Sequence, residues 1–256
     1  MSLINKNDIF LLEVLVKRNF SSKYKDSILG ILWSIIRPLL VMIILTIIFS
    51  TVFKGSIDNY PVYLLSGRCM FTFITGSIGV AMNSLYANKN ILQKTSTPKY
   101  IFVISSIISE FLNFIITLIL LILVMLITKT PFYLLIMPLS IIPIISALML
   151  STGISLILSI FSVYYTDIKH LWGVIVMTLM YASAIFYPMD IVPEPYRHYL
   201  LLNPVYWIID QFRCLIYKGI IPSTSYILNS ILLSAITLVF GIIIFKKFEK
   251  RVSMKF

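Results

Sequence analysis

Residues 31–53 read ILWSIIRPLLVMIILTIIFSTVF, twenty-three positions whose only charge, Arg37, and only proline, Pro38, both fall in the opening turns. The hydrocarbon core of a bilayer takes about 20 residues of helix, and this stretch has that length without an acid in it. It predicts a membrane-spanning helix, and the composition agrees. Of the 256 residues, 59% are hydrophobic and 12% charged, and the mean hydropathy is +0.97. A soluble domain carries about 25% charged residues.

Upstream, from Asn7 to Tyr24, Ile9, Leu12, Val16 and Phe20 recur at helical spacing while Asp8, Glu13, Lys17 and Arg18 break the apolar run. That pattern predicts an amphipathic helix lying at the membrane surface, and its charges are not those of a cleavable signal. Downstream, Lys54 to Tyr60 reads as a short hairpin. A second span is expected from Pro61 to Tyr86, polar enough with Ser66, Arg68, Thr72 and Asn83 to belong inside a bundle. Ala87 to Lys99 is a basic loop. A third span runs from Tyr100 to Thr128 and carries Glu110. The fourth block, Phe132 to Val163, is too long to stand upright, and Pro138 and Pro143 are placed to bend it or to set an interfacial entry segment. After a turn at Tyr164 to His170, a fifth span fits Leu171 to Tyr187 and a sixth Tyr226 to Phe245. Between them Pro188 to Gly219 is apolar, aromatic and proline-broken. Such a segment reads as short re-entrant helices, tolerated at membrane depth only beside protein or water. The fold expected is an all-α integral membrane protein and a single transmembrane domain over 1–256. It divides into the surface helix (1–29), a six-helix bundle (31–245) with the re-entrant segment 188–219, and a cytoplasmic tail (246–256).

Charge sets the orientation. Lys6, Lys17, Arg18, Lys23, Lys25, Lys89, Lys94, Lys99, Lys169, Lys246, Lys247, Lys250, Arg251 and Lys255 fall on one side, against Lys54, Lys129, Arg197, Arg213 and Lys218 on the other. Fourteen against five places both termini in the cytoplasm. The net charge of +11 is spent in this way, flanking apolar blocks, and no stripe for nucleic acid is formed.

Chemistry is sparse. The acids are scattered, His170 and His198 fall on opposite faces, and no glycine is followed by lysine, so there is no P-loop. Cys69 and Cys214 lack metal-ligand or disulfide spacing and read as packing residues.

A set of local patterns does stand out in order along the chain. Arg18, Tyr24-Lys25, Leu29-Gly30-Ile31-Leu32-Trp33 and Pro38-Leu39 resemble the opening segment of the permease subunits of type-2 ABC exporters, particularly those for O-antigen, capsule and teichoic acid. Asn88 to Ile91, leading to Pro98-Lys99, is similar to that family's first cytoplasmic coupling segment, and Tyr165 to Ile168 to the second, with Thr166-Asp167 where members often have Arg-Asp. Pro188, Val192-Pro193, Leu202-Asn203-Pro204 and Arg213 resemble its external re-entrant region. The resemblance covers nearly the whole chain. It implies a channel-forming subunit of an ATP-driven transporter that exports a lipid-linked polysaccharide across the bacterial cytoplasmic (inner) membrane. The chain would act as a homodimer, since six spans are few to enclose a sugar polymer. Two copies of a separate nucleotide-binding ATPase would bind ATP and Mg, leaving this chain without cofactor, metal or catalytic residue of its own. Asn88, Lys89, Lys94, Pro98, Lys99 and Asp167 would then couple to the ATPase. The alternatives are an ABC permease for a small hydrophobic drug or lipid, and a membrane enzyme acting on a lipid-linked phosphate.

Individual residues carry two readings each. Lys17, Arg18, Lys23, Lys25 and Arg37 match the diphosphate of a polyprenyl-linked substrate; they equally match an anionic lipid surface. Trp33, Tyr181, Phe186, Tyr187, Tyr196, Tyr199 and Trp207 offer flat faces along which sugar rings slide, or form an interfacial aromatic belt. Counted from the cytoplasm at 1.5 Å per residue, Arg37 and Glu110 lie roughly 9 and 14 Å deep. Their expected relation is a buried pair, direct or through water; the alternative is that Arg37 snorkels to the cytoplasmic surface.

Overall fold

The computed structural model describes residues 6–25, 27–52, 57–95 and 97–255, with side chains through Val252. Lys54, with the start of its hairpin, and the Lys255 side chain lie outside the described residues. What is described is helical throughout, without strands.

The first helix, α1 (Lys6–Ser22), leads through a single turn at Gly30–Leu32 into α2 (Trp33–Phe49). Gly30 has φ +50, a left-handed backbone that side chains with a Cβ rarely adopt, so the Leu29-Gly30 pair marks where the chain changes direction. Then come α3 (Tyr60–Ala87), the short α4 (Lys89–Lys94), α5 (Tyr100–Ile127), α6 (Ile141–Tyr164) and α7 (Asp167–Ala182). The remainder is α8 (Glu194–Leu201), α9 (Pro204–Arg213) with a wider turn at Cys214–Lys218, and α10 (Thr224–Lys255).

Among the described residues five helices are long and apolar enough to cross a membrane: Gly30–Phe49, Tyr60–Ala87, Tyr100–Ile127, Met137–Tyr164 and Thr224–Val252. The expected fifth span differs: α7 holds only 16 residues and stops at Ala182, not Tyr187. The fourth block is resolved into a short turn, Met137–Ser140, feeding α6, so Pro138 starts the helix and does not kink it. The sixth expected span does not end at Phe245; one helix runs on through Lys246, Lys247, Lys250 and Arg251. The surrounding Lys and Arg are good helix formers, and the Lys99 backbone N–H donates to Glu249 at 3.2 Å, tying that extension to the start of α5.

Helix α3 is central, with 72% of its spanning window buried, while α2 and α10 are peripheral at 6% and 17%. The polarity of α3 is therefore interior polarity: Ser66, Ser77 and Thr75 are all buried. Helices α6 and α10 meet almost backbone to backbone. A Cβ built on Gly153 would fall 2.5 Å from the Thr237 carbonyl oxygen, and Gly241 faces Gly153 just as closely, the close approach that small residues permit in membranes.

Helix α7 follows α3 from one end to the other. Lys169 lies over the Tyr86 ring, Trp172 lies against Gly79, and the Ala184 carbonyl just past α7 accepts from the Tyr63 hydroxyl at 3.2 Å. Helix α1 is laid along the first half of α5, through Asn19 to Ser105 at 3.3 Å and Tyr24 to Asn113 at 2.7 Å.

Candidate functional site

At the joint of α1, α2, α3 and α5 lies a cavity of about 500 Å³. Trp33 and Arg37 reach it from the first turns of α2, Arg68 and Thr72 from α3, Glu110 and Asn113 from α5, and Lys23 and Tyr24 from the segment after α1. The Lys23 ammonium donates to both Glu110 oxygens, at 2.7 and 2.9 Å.

The direct partner of Glu110 is thus Lys23 and not Arg37. The depth count treats α1 as lying flat, whereas α1 climbs along α5 and delivers Lys23 to the carboxylate. Arg37 still borders the same cavity, and Arg68 borders it too. Lys23 holds Glu110, and neither arginine has a hydrogen-bonded or ionic partner among the described residues.

A second cavity, of about 530 Å³, continues toward the α4 end of the bundle between α1, α3 and α5. There Arg18 donates to the Asn88 side-chain oxygen at 2.7 Å. Asn88, buried, also donates to the Ser84 carbonyl at 2.7 Å and stands between α3 and α4, so α1 grips the start of α4 directly.

The two segments expected to couple are neighbours in space. The exposed Tyr86 ring has the Lys89 ammonium at 5.4 Å and the Lys169 ammonium at 4.8 Å from its centroid. Lys94 and Asp167 are exposed, and Pro98 and Lys99 half-buried, at this same end. Of the other basic candidates, Lys17 and Lys25 are exposed.

The aromatic candidates divide. Trp33 is on the first cavity. Tyr181, Tyr196 and Tyr199 are 54%, 62% and 64% exposed at the opposite end. Phe186 is 8% exposed and stacked on Phe49 at 6.1 Å between centroids, so its ring fills the core of this chain. Tyr187 is half-buried and its hydroxyl donates to the Tyr181 carbonyl at 2.6 Å. Trp207 is half-buried, 5.9 Å from the Tyr226 ring, and its indole N–H is buried without a partner among the described residues.

Sequence reasoning did not anticipate the setting of Arg213. Its side chain is 2% exposed and donates to the Ala184 and Ile185 carbonyls, each at 2.8 Å, and to the Tyr63 hydroxyl at 3.1 Å and carbonyl at 3.3 Å. The guanidinium carbon lies 3.8 Å from the Tyr63 ring centroid. The cation thus ties down the turn that follows α7, just beyond the helix's carbonyl end, where the dipole is negative. Asn203 completes the clasp, donating to the Ala182 carbonyl at 3.1 Å and the Ser183 hydroxyl at 2.8 Å while accepting from the Val205 N–H at 3.0 Å. The Asn203-Pro204 pair is an N-cap followed by a first-turn proline.

Comparison with known proteins supplies the family. The chain is 28% identical over 242 residues to an O-antigen export system permease protein RfbA of Klebsiella pneumoniae, covering 94% of this chain and 93% of that protein. It is 22% identical over 219 residues to the Myxococcus xanthus protein of the same name, covering 84% of this chain and 83% of that one. The polysialic acid transport protein KpsM of Escherichia coli is 23% identical over 245 residues, 93% of each chain. The family model described as ABC-2 type transporter matches residues 11–217, and so this multi-pass membrane protein belongs to the ABC-2 type transporter family.

Proposed function

We propose that the chain is the permease of an ATP-driven ABC exporter for a lipid-linked polysaccharide, and that the cavity under α2 receives the phosphate-bearing head of the lipid carrier. The observation that carries this is the pair Arg37 and Arg68, two cations on one cavity that have no ionic partner among the described residues, the lining acid Glu110 being taken by Lys23. A diphosphate is the natural complement, since guanidinium forks bind phosphate oxygens in pairs. Trp33 adds an apolar wall for the first prenyl units, and Arg37, at the exposed edge of α2, faces the side from which a lipid enters. The relatives' names, O-antigen export and polysialic acid transport, support a glycan over a small drug.

In this reading α7 makes the sixth crossing. Its course along α3 from Tyr86 to Tyr63 supports that, although 16 residues span only about 24 Å. The segment 183–223 then lies outside as re-entrant elements around α8 and α9, held by Arg213, with Tyr196 and Tyr199 at the exit. Both termini are cytoplasmic, because the basic α4 loop, the α6–α7 turn and the end of α10 share one face. Two copies form the channel and two ATPase subunits dock on α4 and Asp167. Hydrolysis of ATP belongs to those partners.

The test is export from cells carrying Arg37→Gln and Arg68→Gln together. Surface glycan should fall by an order of magnitude or more, given about 1.5–3 kcal/mol for each charged hydrogen bond lost, while the amount of chain in the membrane is unchanged. Normal surface glycan in the double variant removes the head-group assignment.

A further inference from the structure

The two cavities lie in line along one seam, and a single ion pair divides them. On α3, Thr72 borders the first and Gly79 the second; on α5, Asn113 borders the first and Ser109 the second. Lys23 and Glu110 border both. Between Thr72 and Gly79 stands Gly76, where an added Cβ would lie 3.6 Å from Glu110 Oε2, so α3 presents bare backbone to the carboxylate and the pair spans the remaining gap.

The two partners are unequal. The Glu110 side chain is 9% exposed and the Lys23 side chain 42%. Glu110 sits on a helix interior and has a second donor, Asn113, at 3.5 Å; Lys23 comes from the loop after α1 on a flexible four-carbon stem. When the pair separates, the lysine moves. Separation strands a buried carboxylate, which is costly, so it requires a competitor able to offer Lys23 more charge than one carboxylate does. A multiply charged phosphate held by Arg37 and Arg68 is such a competitor, and a monovalent anion is not.

We propose that Lys23–Glu110 is a latch closing the seam between the two cavities, and that a diphosphate in the first cavity opens it by drawing Lys23 off the carboxylate. The second half rests on the reading of that cavity as the carrier head-group site. The latch adds what that reading lacks: a way for occupancy of the first cavity to join it to the second.

The experiment uses the full chain in membranes, with Cys69 and Cys214 replaced by Ser and Thr72→Cys introduced on the first cavity. Labelling by a polar, membrane-impermeant thiol reagent is timed with and without inorganic pyrophosphate, against Ser109→Cys on the second cavity as reference. Glu110→Gln and Lys23→Gln should each speed labelling at position 72 about tenfold, the shift expected for losing one strong contact from a two-state element. The exchange Lys23→Glu with Glu110→Lys should restore the slow rate. Pyrophosphate should speed labelling of the intact pair and leave the single variants unaffected, and chloride at equal ionic strength should do nothing. Unchanged rates in the single variants overturn the latch, as does fast labelling in the exchange variant, which would make it a matter of bulk and not of charge. A pyrophosphate response that is absent while the variants behave as expected overturns the opening by diphosphate. If Arg37 and Arg68 instead prove dispensable for export, the rates without pyrophosphate still read the latch alone.

Discussion

Arg213 shows what one residue can organise. Its guanidinium gathers the two carbonyls that follow α7 together with the Tyr63 hydroxyl and ring, joining α3, α7 and α9. The room for it exists because position 67 is glycine: a Cβ there would collide with the Arg213 guanidinium. Lysine has three donors around a point charge and no planar fork, so Arg213→Lys leaves at least one of the four acceptors unmatched. The expected loss is about 3 kcal/mol, the scale of breaking a buried charged network. Thermal unfolding in detergent, followed by size exclusion, checks it, and Gly67→Ala should act in the same direction. An unshifted midpoint in both would mean the clasp contributes nothing. Sequence alone marked Arg213 as part of a motif, but its partners lie 28, 29 and 150 positions away, and no local pattern encodes them.

At the scale of elements, α4 and the start of α7 act on one aromatic ring. Tyr86 stands at the last turn of α3 with a lysine from each side, and exposed cation–π contacts are worth about 0.5–1 kcal/mol apiece. Tyr86→Ala should therefore uncouple the two segments without unfolding α3. Cysteines at positions 89 and 169 should crosslink readily in the parent chain and several-fold less in the variant, and stimulation of the partner ATPase should drop alongside. Equal crosslinking would show that the ring is a bystander. Helix α1 joins the same assembly through Arg18 and Asn88. Its amphipathic pattern was legible from Ile9 to Phe20. Its course along α5 was not, because that course depends on Asn19, Lys23 and Tyr24 finding Ser105, Glu110 and Asn113.

For the whole molecule, the decisive question is whether α7 crosses. Thiol labelling from each side of sealed membranes gives the answer: cysteines at Lys94 and Asp167 should react from the cytoplasmic side, and one at Tyr196 only from outside. Asp167 and Tyr196 reacting from the same side would leave five crossings and place the two ends of the chain on opposite faces.

Five of the spans and the interior position of α3 could be read directly, because transfer of about 20 apolar residues into lipid is a local, additive quantity that each segment carries by itself. The tally of basic loops belongs to the same class. The partner of Glu110, the burial of Phe186, the truncation of α7 and the clasp around Arg213 could not be read that way. Each follows from which polar groups meet once the helices have packed. In a bundle with few charges, one shift of α1 along α5 decides whether Lys23 or Arg37 satisfies a carboxylate that is too costly to leave bare.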